Sequence, residues 1–211
     1  MIKILLTDDH AIIRAGLKIL IEKSVPHSVI DEAWDGDSAF DKIKKNEYQL
    51  IMLDVIMPDT DSFGLVGNIL AFKADAKILM FSMNAEDIYA KKYMHLGAKG
   101  YVCKDSPEEE IIKAINTVLG GKKYMSEVLS QMLMADALEG KSSNPFESLT
   151  PREFEIVNHL VRGQSVSEIS RILNLHTSTI GTHKARIFEK LGCGNNVDLN
   201  ALAKIHHVIP G

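Results

Sequence analysis

Residues 48–63, YQLIMLDVIMPDTDSF, form a mostly apolar run interrupted by one acidic residue, Asp54, with Pro58 four positions later. A carboxylate at the end of such a run is costly to bury unless something joins it there. The continuous apolar stretch YQLIMLDV is the pattern of a strand covered on both faces, as strands of parallel sheets are. The reading of the chain therefore turns on what Asp54 faces.

Outward from this stretch, short apolar runs alternate with helix-period segments. IKILLTD (2–8), VIDEAW (29–34), AKILMFS (76–82) and GYVCK (100–104) read as strands. HAIIRAGLKILIEK (10–23) spaces Ile13, Leu17, Leu20 and Ile21 along one helical face. Further helices are expected over DSAFDKIKK (37–45), residues 64–72, and residues 86–96 ending at Gly97. In DSPEEEIIKAINTVLGG (105–121), Ser106 reads as N-cap, Pro107 as first helical residue and Glu109 as the capping-box partner. Five strands alternating with five helices predict a parallel, doubly wound sheet.

Residues 126–138 suggest one more helix, and EGKSSNPFES (139–148) gathers linker residues. The pattern then becomes wholly helical. LTPREFEIVNHLV carries Thr150 as cap, Pro151 and Glu153; SVSEISRILN repeats the device with Ser165 and Glu168; TSTIGTHKARIFEKLG and VDLNALAKIHHV complete four helices. The expected division is 1–122, an α/β domain; 123–146, helix and linker; and 147–211, an all-α domain.

The composition, 45% apolar and 25% charged, is that of a folded globular chain. No apolar run approaches the roughly 20 residues of a membrane span, and MIKILLTDDH turns acidic too early for a signal peptide, so a cytoplasmic location is expected. Cys103 and Cys193 lack metal-ligand spacing and read as free thiols. The net charge of −4 is uneven: residues 145–211 carry 7 Lys and Arg against 6 Asp and Glu, whereas residues 1–144 carry 17 against 22. A nucleic-acid binder with so small a basic excess must concentrate it on one face.

In a doubly wound sheet, ligands sit beyond the carboxyl ends of the strands. Asp8 and Asp9 end the first strand, Asp54 the third, Ser82 the fourth and Lys104 the fifth. Clustered carboxylates repel unless a cation joins them, and an all-oxygen set suits Mg²⁺. Metal and lysine together can neutralise a transferring phosphoryl group while a carboxylate attacks it, and Asp54 is placed as that nucleophile. Any one of these acids alone is more readily a cap or turn residue. The five matching types at strand ends make the case together.

LLTDDHAIIRAGL, IMLDVIMPD, ILMFS and GYVCKDSP resemble the acidic pair, phosphoacceptor strand, hydroxyl strand and lysine strand of bacterial response-regulator receiver domains. The resemblance covers residues 1 to about 122. It implies a flavodoxin-like five-stranded sheet of order 2-1-3-4-5, and phosphorylation of Asp54 by a sensor histidine kinase. It further implies Mg²⁺ held by Asp8, Asp9, Asp54 and the Ile56 carbonyl, with Ser82 and Lys104 binding the phosphoryl group and Tyr101 as the rotamer switch. There are departures: Ser82 stands where Thr is commoner, Met83 where a small residue is usual, and Ser62 where Gly is usual.

The segment SVSEISRILNLHTSTIGTHKARIFEKLG has the length and polarity of a helix-turn-helix. Ile169, Ile172, Leu173, Ile180, Ile187 and Leu191 form its inner faces, leaving Thr179, Thr182, His183, Lys184, Arg186 and Lys190 for phosphates and base edges. Residues 149–192 are similar to the LuxR-type DNA-binding domain. That implies a recognition helix at about 177–191 and a last helix, about 196–207, forming a dimer contact. Gly181 and Ala185 occupy outward positions where relatives often carry polar residues, which implies sparse base readout. His159, His176, His206 and His207 read as ordinary core or surface histidines, and Met52, Met57, Met80 and Met83 as core.

The combined reading is a non-enzymatic, dimeric two-component transcription regulator whose phosphorylation on Asp54 controls binding of a double-stranded DNA operator. Two other readings stay open. An aspartyl-phosphate hydrolase of the dehalogenase-like kind calls for a second Asp two residues after the nucleophile, where this chain has Ile56. A regulator working without phosphate is the other.

Overall fold

The computed structural model describes residues 1–83, 86–131, 134, 144–206 and 208. Strands β1 (Ile2–Thr7), β2 (Ser28–Ala33), β3 (Leu50–Asp54), β4 (Ile78–Ser82) and β5 (Gly100–Cys103) alternate with helices α1 (Ala11–Ser24), α2 (Gly36–Lys45), α3 (Ser62–Phe72), α4 (Glu86–Leu96) and α5 (Glu108–Leu119). All four strand pairings are parallel, in the order β2-β1-β3-β4-β5. This is the expected flavodoxin-like sheet.

The period-two alternation of the strands divides the core in two. Leu5, Ile51, Leu53, Ile78, Met80 and Tyr101 lie in the cluster that holds the buried residues of α2, α3 and α4. Ile4, Leu6, Leu50, Met52, Leu79, Phe81 and Val102 lie in the one formed with α1 and α5. Every residue of β3 and β4 is buried, which accounts for their unbroken apolar sequence. Gly97 ends α4 at φ +121°, a backbone conformation that costs glycine alone almost nothing.

Four more helices follow: α6 (Pro151–Val161), α7 (Val166–Ile172), α8 (Thr177–Leu191) and α9 (Asn196–Ile205). The capping boxes of Thr150 with Glu153 and of Ser165 with Glu168 form as the sequence predicts. The one expected at α5 does not. Pro107 is itself the N-cap, in an extended conformation, so the helix starts one residue later and neither Ser106 nor Glu109 caps it. The expected helix over 126–138 is helical at residues 127–131, and most of its remainder lies outside the described residues.

The segment read as a linker ends in structure. Residues Pro145–Ser148 form a 3-10 turn whose Phe146 is fully buried and packs edge-on against Phe154. The core of α6–α9 is continuous with the α2–α4 side of the sheet. Tyr89 meets Phe154 edge-on with ring centroids 4.8 Å apart, Lys92 Nζ donates to the Leu149 carbonyl at 2.5 Å, and Lys91 pairs with Glu147. Helix α4 is therefore shared between the two domains.

Candidate functional site

Register sets the site. Thr7 pairs with Leu53, Asp54 with Phe81, and Ser82 with Cys103, so the carboxyl ends of four adjacent strands reach one level and the residues after them converge. Asp8 and Asp54 are only 2% and 3% exposed. Lys104 Nζ stands between them, 2.6 Å from Asp8 Oδ2 and 2.7 Å from Asp54 Oδ2.

Burial pushes the Asp54 carboxyl up to about 6; Lys104 opposes this, and the neighbouring Asp8 adds to it. Burial acts to lower the Lys104 ammonium, but Asp54 and Asp8 outweigh it and hold the group above its ordinary value. The Ile56 amide donates to Asp54 Oδ1 at 3.2 Å, which orients the carboxylate toward the crevice.

Asp8, Asp9, His10 and Asp54 each offer a ligand atom within 4.8 Å of one another. Asp8 Oδ2 and Asp9 Oδ1 are buried without a satisfying hydrogen bond, although the Lys104 and His10 nitrogens are 2.6 and 2.8 Å away. Three carboxylates gathered this closely, with one lysine between two of them, fit a divalent cation. His10 was not singled out in the sequence; its place directly after the acidic pair was the available signal.

On the other side of Asp54, the Tyr101 side chain is wholly buried and hydrogen-bonded to Ser82, which is itself buried. Met83, expected in the core, is 60% exposed. It falls just past the end of β4, beyond the last position covered by neighbouring strands, whereas Met52, Met57 and Met80 are buried as expected. Neither Cys103 nor Cys193 is in a disulfide.

The second candidate surface is α8. Ile180, Ile187 and Leu191 are buried beneath it, as predicted. Thr182, Arg186, Gly181 and Ala185 are exposed, while Thr179, His183 and Lys184 are half-buried. Lys184 Nζ lies 5.2 Å from the centre of the Phe188 ring. Lys190 is occupied at home, its Nζ 2.6 Å from Glu153 Oε2. The outward face of α8 is open to solvent while the two domains are packed together.

Sequence reasoning missed the contacts between domains. Arg152 Nη1 pairs with Asp61 Oδ2 of the receiver side at 2.5 Å and with Glu155 Oε2 at 2.6 Å, and its Nη2 donates to the Leu173 carbonyl at 2.8 Å. Burial pushes Glu155 up to about 9, and the adjacent Asp61 acts in the same direction. Burial pushes Asp61 up as well, but Glu155, the Gly64 amide and Arg152 outweigh it and leave it lowered. The opposite shifts favour protonation of Glu155 over Asp61. No sequence pattern marks such a cluster, because Asp61 lies 91 residues from Arg152.

A parallel sheet ending in two carboxylates and a lysine at one crevice, joined to a four-helix unit with an exposed helix, defines a receiver coupled to a helix-turn-helix. The chain belongs to the response regulators: residues 4–116 match the family described as response regulator receiver domain, and residues 147–203 the family of bacterial regulatory proteins, luxR family. It is 34% identical over 207 residues to the response regulator UvrY of Escherichia coli strain K12, covering 98% of this chain and 95% of that one. It is 30% identical over 210 residues to the response regulator GacA of Pseudomonas aeruginosa, covering 99% and 98%. Among solved structures, RcsB from Salmonella enterica serovar Typhimurium, bound to promoter rprA in the presence of the phosphomimetic BeF3⁻, superposes with a TM-score of 0.79 over 96% of this chain and 98% of that one. At 23% identity that likeness is one of fold.

Proposed function

We propose that this response regulator accepts a phosphoryl group on Asp54 from a sensor histidine kinase and thereby controls binding of its C-terminal domain to promoter DNA as a homodimer in the cytoplasm. The division of labour is 1–122 as receiver, 123–146 as helix and linker, and 147–211 as DNA-binding domain. The observation that carries this reading is the convergence of Asp8, Asp54 and Lys104 within 2.7 Å contacts at the carboxyl edge of the sheet. The family match and the DNA-bound state of RcsB support it.

In the transfer, an Asp54 carboxylate oxygen attacks the phosphorus of a kinase phosphohistidine. The P–O bond forms, the P–N bond breaks, and the imidazole leaves and takes up a proton. Asp8, Asp9, Asp54 and the Ile56 carbonyl would hold Mg²⁺, which supplies charge neutralisation for the phosphoryl oxygens. Lys104 moves from its ion pairs toward the transferred group, and Ser82 donates its hydroxyl to it. Tyr101, hydrogen-bonded to Ser82, links that hydroxyl to the aromatic cluster under α4. Thr179, Thr182, His183, Lys184 and Arg186 are the DNA-contacting set, with the exposed Thr182 and Arg186 foremost, while Lys190 of the expected set is held by Glu153.

The test is incubation with a small-molecule phosphodonor and Mg²⁺, followed by intact-mass analysis and DNA binding. One phosphoryl adduct and tighter DNA binding are expected, both lost in Asp54→Asn. Donor-independent DNA binding identical in the two proteins would overturn the reading.

A further inference from the structure

The DNA-binding domain places one unpaired cation beside the phosphorylation crevice. Arg162 follows α6, and a narrow seam there is lined on one side by Val55, Ile56 and Met57, the residues directly after Asp54, and on the other by Glu155, His159 and Arg162. Arg162 is exposed at the mouth of this seam and, among the described residues, forms no ion pair or hydrogen bond through its side chain. Burial acts most strongly on its guanidinium and lowers it; Tyr89, Asp54 and Tyr93, all of the receiver, act in the opposite direction. The nearby carboxylates Asp61 and Glu155 are already taken by Arg152.

Phosphorylation adds close to two negative charges and three strong acceptor oxygens to Asp54, extending it outward into the crevice. Lys104 is one cation and is already shared with Asp8. A guanidinium is matched to phosphoryl oxygens by its planar fork, and a long side chain with no other partner gives up little to reach them. We propose that Arg162, a residue of the DNA-binding domain, is a ligand of the phosphoryl group on Asp54, so that phosphorylation ties the two domains together at this point. This rests on Asp54 being the phosphoacceptor. It assigns to the helix-turn-helix domain a direct part in sensing the phosphoryl group, beside the route through Ser82 and Tyr101.

The experiment uses the full chain with Mg²⁺ and beryllofluoride. Trp34, the single tryptophan, lines the groove with Asp9 and Pro58, so its fluorescence reports occupancy. Arg162→Ala is expected to weaken beryllofluoride binding on the order of tenfold, the worth of one charge-assisted hydrogen bond, and Arg162→Lys to recover part of it. Amide exchange in 156–162 is expected to slow on binding in the wild type and not in Arg162→Ala. Without beryllofluoride the variants should unfold at the wild-type temperature. Equal affinity in wild type and Arg162→Ala would overturn the proposal and leave Asp54 in its role. Equal weakening in Arg162→Ala and Arg162→Lys, with lowered unfolding temperature, would show a packing role and overturn it too. Failure of the wild type to bind beryllofluoride would remove the Asp54 reading, and this proposal with it.

Discussion

The Tyr89 hydroxyl, on α4 of the receiver, donates to Asn158 Oδ1, on α6 of the DNA-binding domain, at 2.5 Å. Both side chains are buried, so the bond lies inside the apolar contact that joins the domains. Polar groups placed there have no water to turn to unless the domains part.

Tyr89→Phe leaves Asn158 Oδ1 without its donor and is expected to weaken docking by about 1–2 kcal/mol. Hydrogen exchange reads this locally. Amides of α6 should exchange about tenfold faster while those of β4 keep their wild-type rates. Unchanged α6 protection would show that the bond contributes nothing to docking.

Burial and the neighbouring Asp61 favour a protonated Glu155 in the docked protein, whereas the unfolded chain would release that proton in the ordinary carboxylate range. Its value in the folded protein is raised to about 9, so the associated stability is complete below the unfolded value and is lost as pH rises toward 9. Thermal unfolding followed from pH 5 to pH 9, roughly the span between the two values, should show a falling midpoint in the wild type and a flatter one in Glu155→Gln. Parallel curves for the two proteins would contradict a proton on Glu155.

Lys104→Ala leaves Asp8 and Asp54 facing each other without a cation. Removing one partner of a buried ion pair costs about 3 kcal/mol, so urea unfolding should shift to lower concentration. Millimolar Mg²⁺ should restore more stability to this variant than to the wild type, since metal and lysine neutralise the same oxygens. Absence of any Mg²⁺ response in either protein would argue against the carboxylates as a metal site.

Arg186 is exposed on α8, whereas Lys190 is paired with Glu153. Arg186→Ala should weaken DNA binding and reduce the dependence of log affinity on log salt by about one ion, as loss of one phosphate contact does. Lys190→Ala should leave that slope unchanged and lower stability instead. Equal slopes for wild type and Arg186→Ala would place the contact surface elsewhere.

The sheet and the crevice were legible because each strand announces itself locally, and β1, β3, β4 and β5 carry their candidate site residues at or just past their ends. Asp54, Ser82 and Lys104 needed only the rule that parallel strands finish at one edge. The helix-turn-helix was legible for the same reason, its caps at Thr150 and Ser165 being encoded within four residues. Local pattern failed where one residue decided between neighbours: Pro107 fits either the cap or the first turn, and its extended backbone puts it at the cap. It failed for Met83, whose burial depended on whether the strand still had neighbours beyond Ser82. It could not reach Arg152, Glu155 or Tyr89, whose partners are set by how one folded domain settles on another.

Three residues near the start of α6 tie it to the receiver, to the end of α7 and to α8. Arg152 grips the receiver at Asp61 and the carbonyl of Leu173 at the end of α7, Glu153 holds Lys190 near the end of α8, and Glu155 shares its proton with Asp61. These contacts join the receiver at one end of α6 to α8, the proposed DNA-contacting helix, at the other. In a two-copy assembly, the gap between the reading helices is then gauged by how the receivers meet. Paired in this way, two copies would act as calipers, and the half-site spacing they accepted on DNA would measure their receiver geometry.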